Sequence, residues 1–328
     1  MEHAGFQHQA LIYEGADEYL AGTIPFLRTA LETDQPALVA VRRGQARLLQ
    51  GELGGEGERI RFLSIEEVGR NPALIIPFWR DYVEENRGRA VRGISEPVWP
   101  ERSAAAIAET HRHEALLNLA FASGPGWSLL CPYDACGLPD DELETAAATH
   151  ELISREGRTE RSAAFAADFD VLGGDLPSPG GRADVLAFGL SELSEVRRRV
   201  AAAGERTGMD PRGVADLVTA TSELAANSVM HGGGAGTLRV WRDNGSLLVE
   251  VEDEGRIEEP LVGRLRPGLT QEGGRGLWLA NQLCELVQIR SEGGPGGGRT
   301  VVRLHMPVEV QSGGDEDGAT PGDSLVSA

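Results

Sequence analysis

Short apolar runs alternate with longer stretches of helical periodicity in the first half of the chain. Each apolar run is bounded by turn-forming or charged residues, which is typical of buried strands. The predicted strands are Ala10–Tyr13, Ala37–Val41, Ile60–Ile65 and Ser128–Cys131. The predicted helices are Tyr19–Thr33, Pro72–Glu85, Ser103–Ala122 and Asp140–Ile153. Alternation of this kind favours an α/β domain whose sheet is mostly parallel.

The second half has a different order of elements. An apolar strand over Ala183–Leu190 precedes a helix that Ser191 caps, and Pro211 opens a second helix that runs to Met230. The turn Asp243-Asn-Gly245 is a strong hairpin signal between the strands Leu238–Trp241 and Leu247–Glu252. The remaining predicted elements are a helix at Leu277–Cys284 and strands at Leu286–Arg290 and Thr300–Met306.

These patterns divide the chain into four parts. We expect an α/β domain over residues 1–155, a connection over 156–182, a second domain over 183–308 and a disordered acidic tail over 309–328. In the connection, a polar-faced helix over about Thr145–Ala167 is expected to lead into a Gly- and Pro-rich linker.

The charge balance excludes several classes of function. Of the 328 residues, 51 are acidic and 31 are basic, which gives a net charge of −20. Such a field repels phosphate-rich surfaces, so we expect no direct binding to nucleic acid or to anionic membranes. Every basic residue is arginine. The chain therefore has no lysine for a P-loop, for a Schiff base or for the strand of an ordinary protein kinase.

The chain shows no signal for export. Its start lacks a basic region followed by a long apolar stretch, and no run is long and apolar enough to span a bilayer. Three cysteines, Cys131, Cys136 and Cys284, are too few for a disulfide scaffold and suit a reducing compartment. We expect a cytoplasmic protein.

The first domain is a sheet domain without a phosphate loop, which favours a role in binding or sensing. Three segments, His8–Tyr13, Glu114–Asn118 and Cys131–Asp134, resemble the MEDS sensory domain. That resemblance implies a RecA-like fold that has lost its ATPase motifs, placed before a regulatory domain and responsive to an unidentified ligand.

Four residues of this domain are of types that bind metals, namely His111, His113, Cys131 and Cys136. Two residues that are two positions apart on a helix point in different directions, so His111 and His113 are poorly placed to share an ion. The spacing of the two cysteines is looser than in zinc motifs. We expect ordinary packed or surface residues here.

Four features of the second half follow one another in a fixed order: an asparagine on a helix, an Asp-x-Gly after a strand, a glycine-rich helix start and a late threonine. The segments Ser222–Gly232, Asp253–Gly255 and Gly273–Leu279 resemble the GHKL (Bergerat-fold) ATP-binding domain over about residues 183–307. Within that superfamily they are most similar to the anti-sigma-factor serine kinases. The resemblance implies an α+β two-layer sandwich that binds ATP with Mg²⁺.

The residues support this chemistry without a lysine. Asn227 offers a neutral oxygen to Mg²⁺, and by resemblance it is the metal residue. Asp253 ends a strand, where it is placed to accept the adenine amino group, and Gly255 permits close approach to the base. Bare backbone amides at a helix start bind phosphate, and an arginine adds a charged contact. The residues assigned to this phosphate site are Gly273, Gly274, Arg275 and Gly276, while Thr300 matches the family threonine near the adenine-binding aspartate.

Glu223 is the candidate catalytic residue. It lies one helical turn before Asn227, and the matching glutamate of the resembling kinases is their proposed base. The resemblance thus implies a serine/threonine kinase that acts as an anti-sigma-type switch. Its partners would be a sigma factor, an antagonist protein that carries the phosphoacceptor, or both. The resemblance also implies a homodimer, since the resembling kinases are often dimers.

Two alternatives remain open at the level of sequence. A histidine kinase shares the nucleotide fold, but it needs a phosphoacceptor histidine on a helix just before that domain, and residues 151–190 contain no histidine. A non-catalytic switch would bind ATP and change its affinity for a partner without transferring phosphate. The expected lid, Arg256–Glu272, carries charges of both signs, and its sequence does not fix its conformation.

Overall fold

The computed structural model of the chain describes residues 5–124, 126–179, 181–268, 274–294 and 297–308. Within them the chain forms a seven-stranded sheet from its first half and a five-stranded sheet from its second half. The tail over 309–328 and the glycine at position 273 lie outside the described residues.

The N-terminal domain is a mixed sheet flanked by helices. Its strands are β1 Phe6–Tyr13, β2 Ala37–Val41, β3 Arg61–Ser64, β4 Val91–Ser95, β5 Trp127–Asp134, β6 Leu152–Arg155 and β7 Arg158–Arg161. Its helices are α1 Gly15–Glu32, α2 Arg43–Leu53, α3 Ile65–Val68, α4 Ile75–Glu85, α5 Ala104–Phe121 and α6 Asp140–Thr149, with short 3-10 turns at Gly54–Arg59 and Pro72–Leu74. The strand order is β3-β2-β4-β5-β1-β6-β7. Only β7 runs antiparallel to its neighbour, so the prediction of a mostly parallel sheet is confirmed in outline.

Alternation along β1 sends its side chains to two separate cores. Leu11 and Tyr13 pack with apolar residues of α1 and α2, whereas Ala10 and Ile12 belong to a second cluster on the side of α4, α5 and α6. This second cluster continues without interruption into the C-terminal domain. The two domains therefore share one apolar core on that side of the sheet.

The C-terminal domain is an antiparallel sheet with helices. Its strands are β8 Asp184–Phe188, β9 Gly236–Asp243, β10 Ser246–Asp253, β11 Leu286–Gly294 and β12 Gly297–Pro307, in the order β11-β12-β10-β9-β8. Its helices are α7 Leu193–Arg206, α8 Pro211–His231 and α9 Arg275–Leu283, with a 3-10 turn at Leu190–Glu192. The carboxylate of Asp210 accepts the backbone N–H groups of Arg212 and Gly213, so α8 begins as the sequence predicts.

The prediction of a connecting helix over Thr145–Ala167 is wrong beyond Thr149. The chain there forms the hairpin β6–β7, whose turn places Glu156 and Gly157 at positive φ. β6 pairs in parallel with β1, a partner about 140 residues earlier in the chain. Such a pairing is invisible to local periodicity, and it outweighs the weak helical pattern of the segment.

The Gly- and Pro-rich connection is packed against the second sheet. Val171 and Leu172 are buried, and the Leu172 carbonyl accepts a 2.8 Å hydrogen bond from the backbone N–H of Ser291. Further along, the Pro177 carbonyl accepts a 2.8 Å hydrogen bond from Arg303. These contacts attach the described part of the connection to β11 and β12.

Among the described helices, none combines the length and the apolar character that crossing a membrane requires.

Candidate functional site

Helices α8 and α9 meet at Gly276, in front of two of the predicted site residues. A Cβ at position 276 would lie 2.9 Å from Asn227 Nδ2 and 3.2 Å from Glu223 Cβ. Only glycine permits this approach without displacing them. The side chains of Glu223 and Asn227, one turn apart on α8, therefore both lie at the start of α9, with Glu223 exposed and Asn227 half-buried.

Asp253 is held in place from two sides at the end of β10. Its Oδ1 accepts the backbone N–H of Gly255 at 2.8 Å, and its Oδ2 accepts the hydroxyl of Ser228 at 2.6 Å. Ser228 follows Asn227 on α8, so the same helix positions both predicted binding residues. The side chain of Asp253 can lie this close to the end of α8 because residue 232 is glycine, where a Cβ would lie 2.4 Å from Asp253 Cγ.

Thr300 fixes the loop that leaves Asp253. Its hydroxyl donates to the Gly255 carbonyl at 2.9 Å and lies 2.9 Å from the hydroxyl of Ser291, which accepts the backbone N–H of Ile257 at 2.8 Å. This chain of hydrogen bonds joins β12, β11 and the loop after β10 through residues 255 to 257. The predicted threonine thus acts on the site through the backbone of the Asp-x-Gly turn.

These residues surround one cavity of about 270 Å³. Of the predicted site residues, the cavity brings together Asn227, Asp253, Gly255, Gly274 and Thr300. Glu223 and Gly276 lie beside it without lining it, as does Arg275 at the first position of α9. The apolar walls are Leu224, Val251, Ile257, Val262, Leu277 and Val302. An apolar pocket with a few fixed polar groups is typical of a small-molecule site.

The start of α9 has the geometry of an anion site. Gly274 precedes the helix with φ of 78°, a left-handed conformation that favours glycine. The first backbone N–H groups of a helix lack partners within it and carry its positive dipole end. Gly274 lines the cavity, so this end of α9 faces the same space as Asn227.

The segment after Asp253, whose described part is residues 256–268 and which we call the lid segment, is anchored in the N-terminal domain. Arg264 is 1% exposed and lies between the domains. Its Nε donates to His113 Nε2 at 3.0 Å, and its Nη2 donates to Glu109 Oε1 at 3.3 Å. The second carboxylate oxygen of Glu109, Oε2, accepts a 3.1 Å hydrogen bond from Nη1 of Arg290 on β11. One buried carboxylate on α5 therefore binds two arginines of the C-terminal domain.

The protonation of this cluster is consistent with its hydrogen bonds. Burial lowers the pKa of His113 well below its ordinary value, and the charge of Arg264 lowers it further. The Nε2 atom of the neutral His113 ring accepts the hydrogen bond from Arg264 Nε, while the Nδ1–H group of His113 donates to the Glu109 carbonyl at 2.8 Å. Burial also lowers the pKa of Arg264, and Glu109 opposes this effect. Sequence reasoning missed Glu109, Arg264 and Arg290, because no local pattern shows which charges meet across a domain boundary.

A second buried contact joins the lid segment to both domains. The amide of Asn71 donates to the Asn281 carbonyl at 2.9 Å, and the amide of Asn281 donates to the Gly263 carbonyl at 2.8 Å. Both asparagines are almost fully buried.

A wider cavity of about 640 Å³ lies between α4 and the lid segment. It shares the lining residues Glu259, Val262 and Gly274 with the 270 Å³ cavity beside Asn227. The wall of the smaller cavity is therefore in contact with the N-terminal domain.

Two family models match the chain. Residues 7–151 match that of the MEDS domain, the MEthanogen/methylotroph, DcmR sensory domain. Residues 187–306 match that of the histidine kinase-like ATPase domain. A search of curated proteins found no match.

Solved structures give weaker likenesses. The chain is similar to the SiaB–SiaC complex from Pseudomonas aeruginosa at 14% identity, with 37% of this chain and 89% of that one covered and a TM-score of 0.31. The chain is similar to the RsbU and RsbW domains of Rv1364c from Mycobacterium tuberculosis at 19% identity, with 65% of this chain and 50% of that one covered and a TM-score of 0.27. It is similar to the histidine kinase AdeS from Acinetobacter baumannii at 13% identity, with 39% of this chain and 68% of that one covered and a TM-score of 0.21. Because these TM-scores are low, the assignment of the domains rests on the family models.

Replacement of Glu109 by glutamine tests the interdomain cluster. Loss of the carboxylate leaves Arg264 and Arg290 buried without a negative partner, so we expect the free energy of unfolding in urea to fall by about 3 kcal/mol. The matched control is Glu67→Gln, which removes an exposed ion pair with Arg43 and should change stability little. Equal urea midpoints for the two variants would show that the cluster does not hold the domains together.

Proposed function

Since the chain joins a MEDS sensory domain to a GHKL-type, histidine kinase-like ATPase domain, we propose that it is an ATP-dependent regulatory serine/threonine kinase controlled by its N-terminal domain. The observation that carries this proposal is the common cavity of Asn227, Asp253, Gly255 and Gly274. These are the residues that the sequence assigns to magnesium, adenine and phosphate. In this proposal the N-terminal domain has the RecA-like fold that the MEDS resemblance implies.

The residues present fit a purine. Apolar side chains from α8, β10, α9 and β12 form walls that accept the faces of a flat base. Asp253 retains acceptor capacity after binding Ser228 and Gly255, so its carboxylate is available to the exocyclic amino group of adenine. The Cβ that Gly255 lacks would lie 2.8 Å from Asp253 Oδ1, so glycine keeps this corner open.

The residues also fit a magnesium-bound triphosphate, which supplies the transferable phosphoryl group. Asn227 offers an amide oxygen at the cavity wall, a ligand type that suits Mg²⁺. The start of α9 offers backbone N–H groups at Gly274 and beyond, and Arg275 adds positive charge at the first helical position. Gly276 keeps this turn close to Asn227. The glycine at position 273 belongs to the proposal on its sequence alone.

Glu223 is the proposed general base. Its exposed carboxylate at the start of α9 is accessible to a protein substrate. It would take the proton of a serine or threonine hydroxyl, whose oxygen bonds to the γ-phosphorus as the bond to the β,γ-bridging oxygen breaks and ADP leaves. The proposed acceptor follows from the resemblance of the motifs and is an antagonist protein of an anti-sigma system. A sigma factor is the proposed second partner in the cytoplasm, and a homodimer is the proposed acting form.

The lid segment gives the sensory domain a route to the nucleotide. Glu259 and Val262 line the cavity, and Arg264, two residues later, is bound to Glu109 and His113 of α5. In this proposal, a displacement of α5 would reach the cavity wall through the buried side chain of Arg264. This arrangement supports control of nucleotide binding from the N-terminal domain.

The histidine-kinase alternative receives no support from the segment before the ATPase domain. In the described residues between β7 and β8 there is no helix, and the hairpin β6–β7 occupies the preceding positions. His150 is fully buried, which makes it unsuitable as a phosphoacceptor.

Removal of the Asn227 amide tests the nucleotide site. We expect Asn227→Ala to abolish the magnesium-dependent part of ATP binding, because the variant loses the proposed metal ligand. Isothermal calorimetry with ATP in the presence and absence of Mg²⁺ measures this. Thr219→Ala, an exposed change two turns earlier on α8, is the control and should bind like the unmodified chain. Unchanged magnesium dependence in Asn227→Ala would remove the site from consideration.

Phosphate transfer is tested with γ-labelled ATP and the protein that co-purifies with the full chain. We expect acid-stable label on that partner, lost in Glu223→Gln and retained in Glu205→Gln, an exposed control on α7. Acid-labile label on the chain itself would instead indicate a histidine kinase. ATP binding with no label on either protein would indicate a non-catalytic switch.

A further inference from the structure

Four potential metal ligands meet inside the N-terminal domain, away from the nucleotide cavity. His8 lies on β1, Glu114 on α5, Cys131 on β5 and His150 directly after α6. All four are buried, with exposures between 0 and 2%. Their ligand atoms all lie within 4.8 Å of one another. The fold therefore brings together two imidazoles, one thiol and one carboxylate from four separate elements.

The spacing of these atoms fits a single ion. Glu114 Oε2 lies 3.3 Å from His8 Nε2 and 3.2 Å from His150 Nε2, and Cys131 Sγ lies 3.5 Å from His8 Nε2. Ligands bonded to zinc at about 2.0 to 2.3 Å in a tetrahedron are about 3.3 to 3.8 Å apart. An ion at the centre requires only small movements of these side chains.

Neighbouring groups orient both histidines as ligands. The Nδ1–H of His150 donates to the Ala146 carbonyl at 2.8 Å, and the Nδ1 of His8 lies 3.1 Å from Asn118 Oδ1. The amide of Asn118 donates to the Thr149 carbonyl at 2.8 Å, which turns its oxygen towards His8. Both rings thereby direct the lone pair of Nε2 at Glu114. Hydrogen bonds of this kind fix the tautomer of metal-binding histidines.

The centre of the cluster needs a positive charge. Two nitrogen lone pairs and a carboxylate face one another, and within the described part of the chain neither oxygen of Glu114 nor His150 Nε2 has a hydrogen-bond partner. A buried anion in such surroundings is costly unless a cation or a proton joins it.

We propose that His8, Glu114, Cys131 and His150 form a binding site for one divalent transition-metal ion. Imidazole and thiolate ligands together select zinc and its neighbours over magnesium and calcium, which prefer oxygen ligands. Binding displaces the thiol proton of Cys131 to the solvent and leaves a neutral site: one dication, one thiolate and one carboxylate. With four protein ligands and no exposed face, the ion serves structure or sensing rather than catalysis.

The site lies on the helix that holds the lid segment. Glu114 follows His113 directly, and Glu109 lies about one turn earlier on α5. An ion at Glu114 fixes this helix against β1, β5 and the end of α6. If the proposed kinase function is correct, the state of the metal site reaches the nucleotide cavity through α5, although the metal site itself does not depend on that function.

The experiment measures metal in the full chain. After reconstitution with Zn²⁺ and desalting, we expect about one zinc ion per chain, measured by inductively coupled plasma mass spectrometry. With Co²⁺ in place of zinc, we expect the thiolate-to-cobalt charge-transfer absorption that only a sulfur ligand gives. Cys131→Ser should lose that absorption, whereas Cys136→Ser, an exposed cysteine five residues later, should keep it.

A second variant separates the site from a general loss of folding. Asn118→Ala leaves all four ligands in place but removes the partner of His8, so we expect metal affinity to fall roughly 10- to 100-fold with the charge-transfer absorption retained. A chain that folds by circular dichroism but binds no zinc or cobalt would show that protons, not a metal, neutralise the cluster. Charge-transfer absorption that persists in Cys131→Ser would place the metal elsewhere. Either result overturns the proposal.

Discussion

The carboxylate of Glu109 is the interaction on which the arrangement of the two domains depends. It is fully buried, and its two oxygens accept guanidinium groups from the lid segment and from β11. A buried ion cluster tolerates the loss of neither sign, because the remaining charge stays without a partner in a medium of low polarity. The domains therefore cannot separate without hydrating all three groups. The position of the lid segment, and with it one wall of the proposed nucleotide cavity, follows from this constraint.

Much of the fold could be predicted from the sequence because its signals are local. β2 has the predicted bounds, and α8 begins at Pro211 behind an aspartate cap. The local pattern does not predict β4, and the reason is physical. β4 carries Gly93 at its centre, a poor strand residue in isolation, yet a Cβ there would lie 2.6 Å from the ring of Trp79. The need for glycine at that position comes from a helix packed across the sheet.

The two candidate sites differ in the same way. The proposed nucleotide-binding residues lie in short segments of fixed order, so the sequence indicates them, although no local signal shows where Arg264 anchors the lid segment. The proposed metal site has no such signal in the sequence. The sequence suggests testing Cys131 together with His111, His113 and Cys136, whereas the structure places it beside His8, Glu114 and His150. Those four residues are neighbours only because β1 pairs with β5 and α5 and α6 pack on the same face of the sheet.

We expect the buried cluster around Glu109 to hold the proposed nucleotide cavity in its binding conformation. The affinity for Mg-ATP, measured by calorimetry at a temperature where each variant is folded, tests this expectation. Glu109→Gln releases the lid segment, and the free energy needed to order that segment again then opposes binding. We therefore expect Glu109→Gln to bind Mg-ATP about tenfold more weakly than Glu67→Gln does. Equal affinities in the two folded variants would contradict the claim.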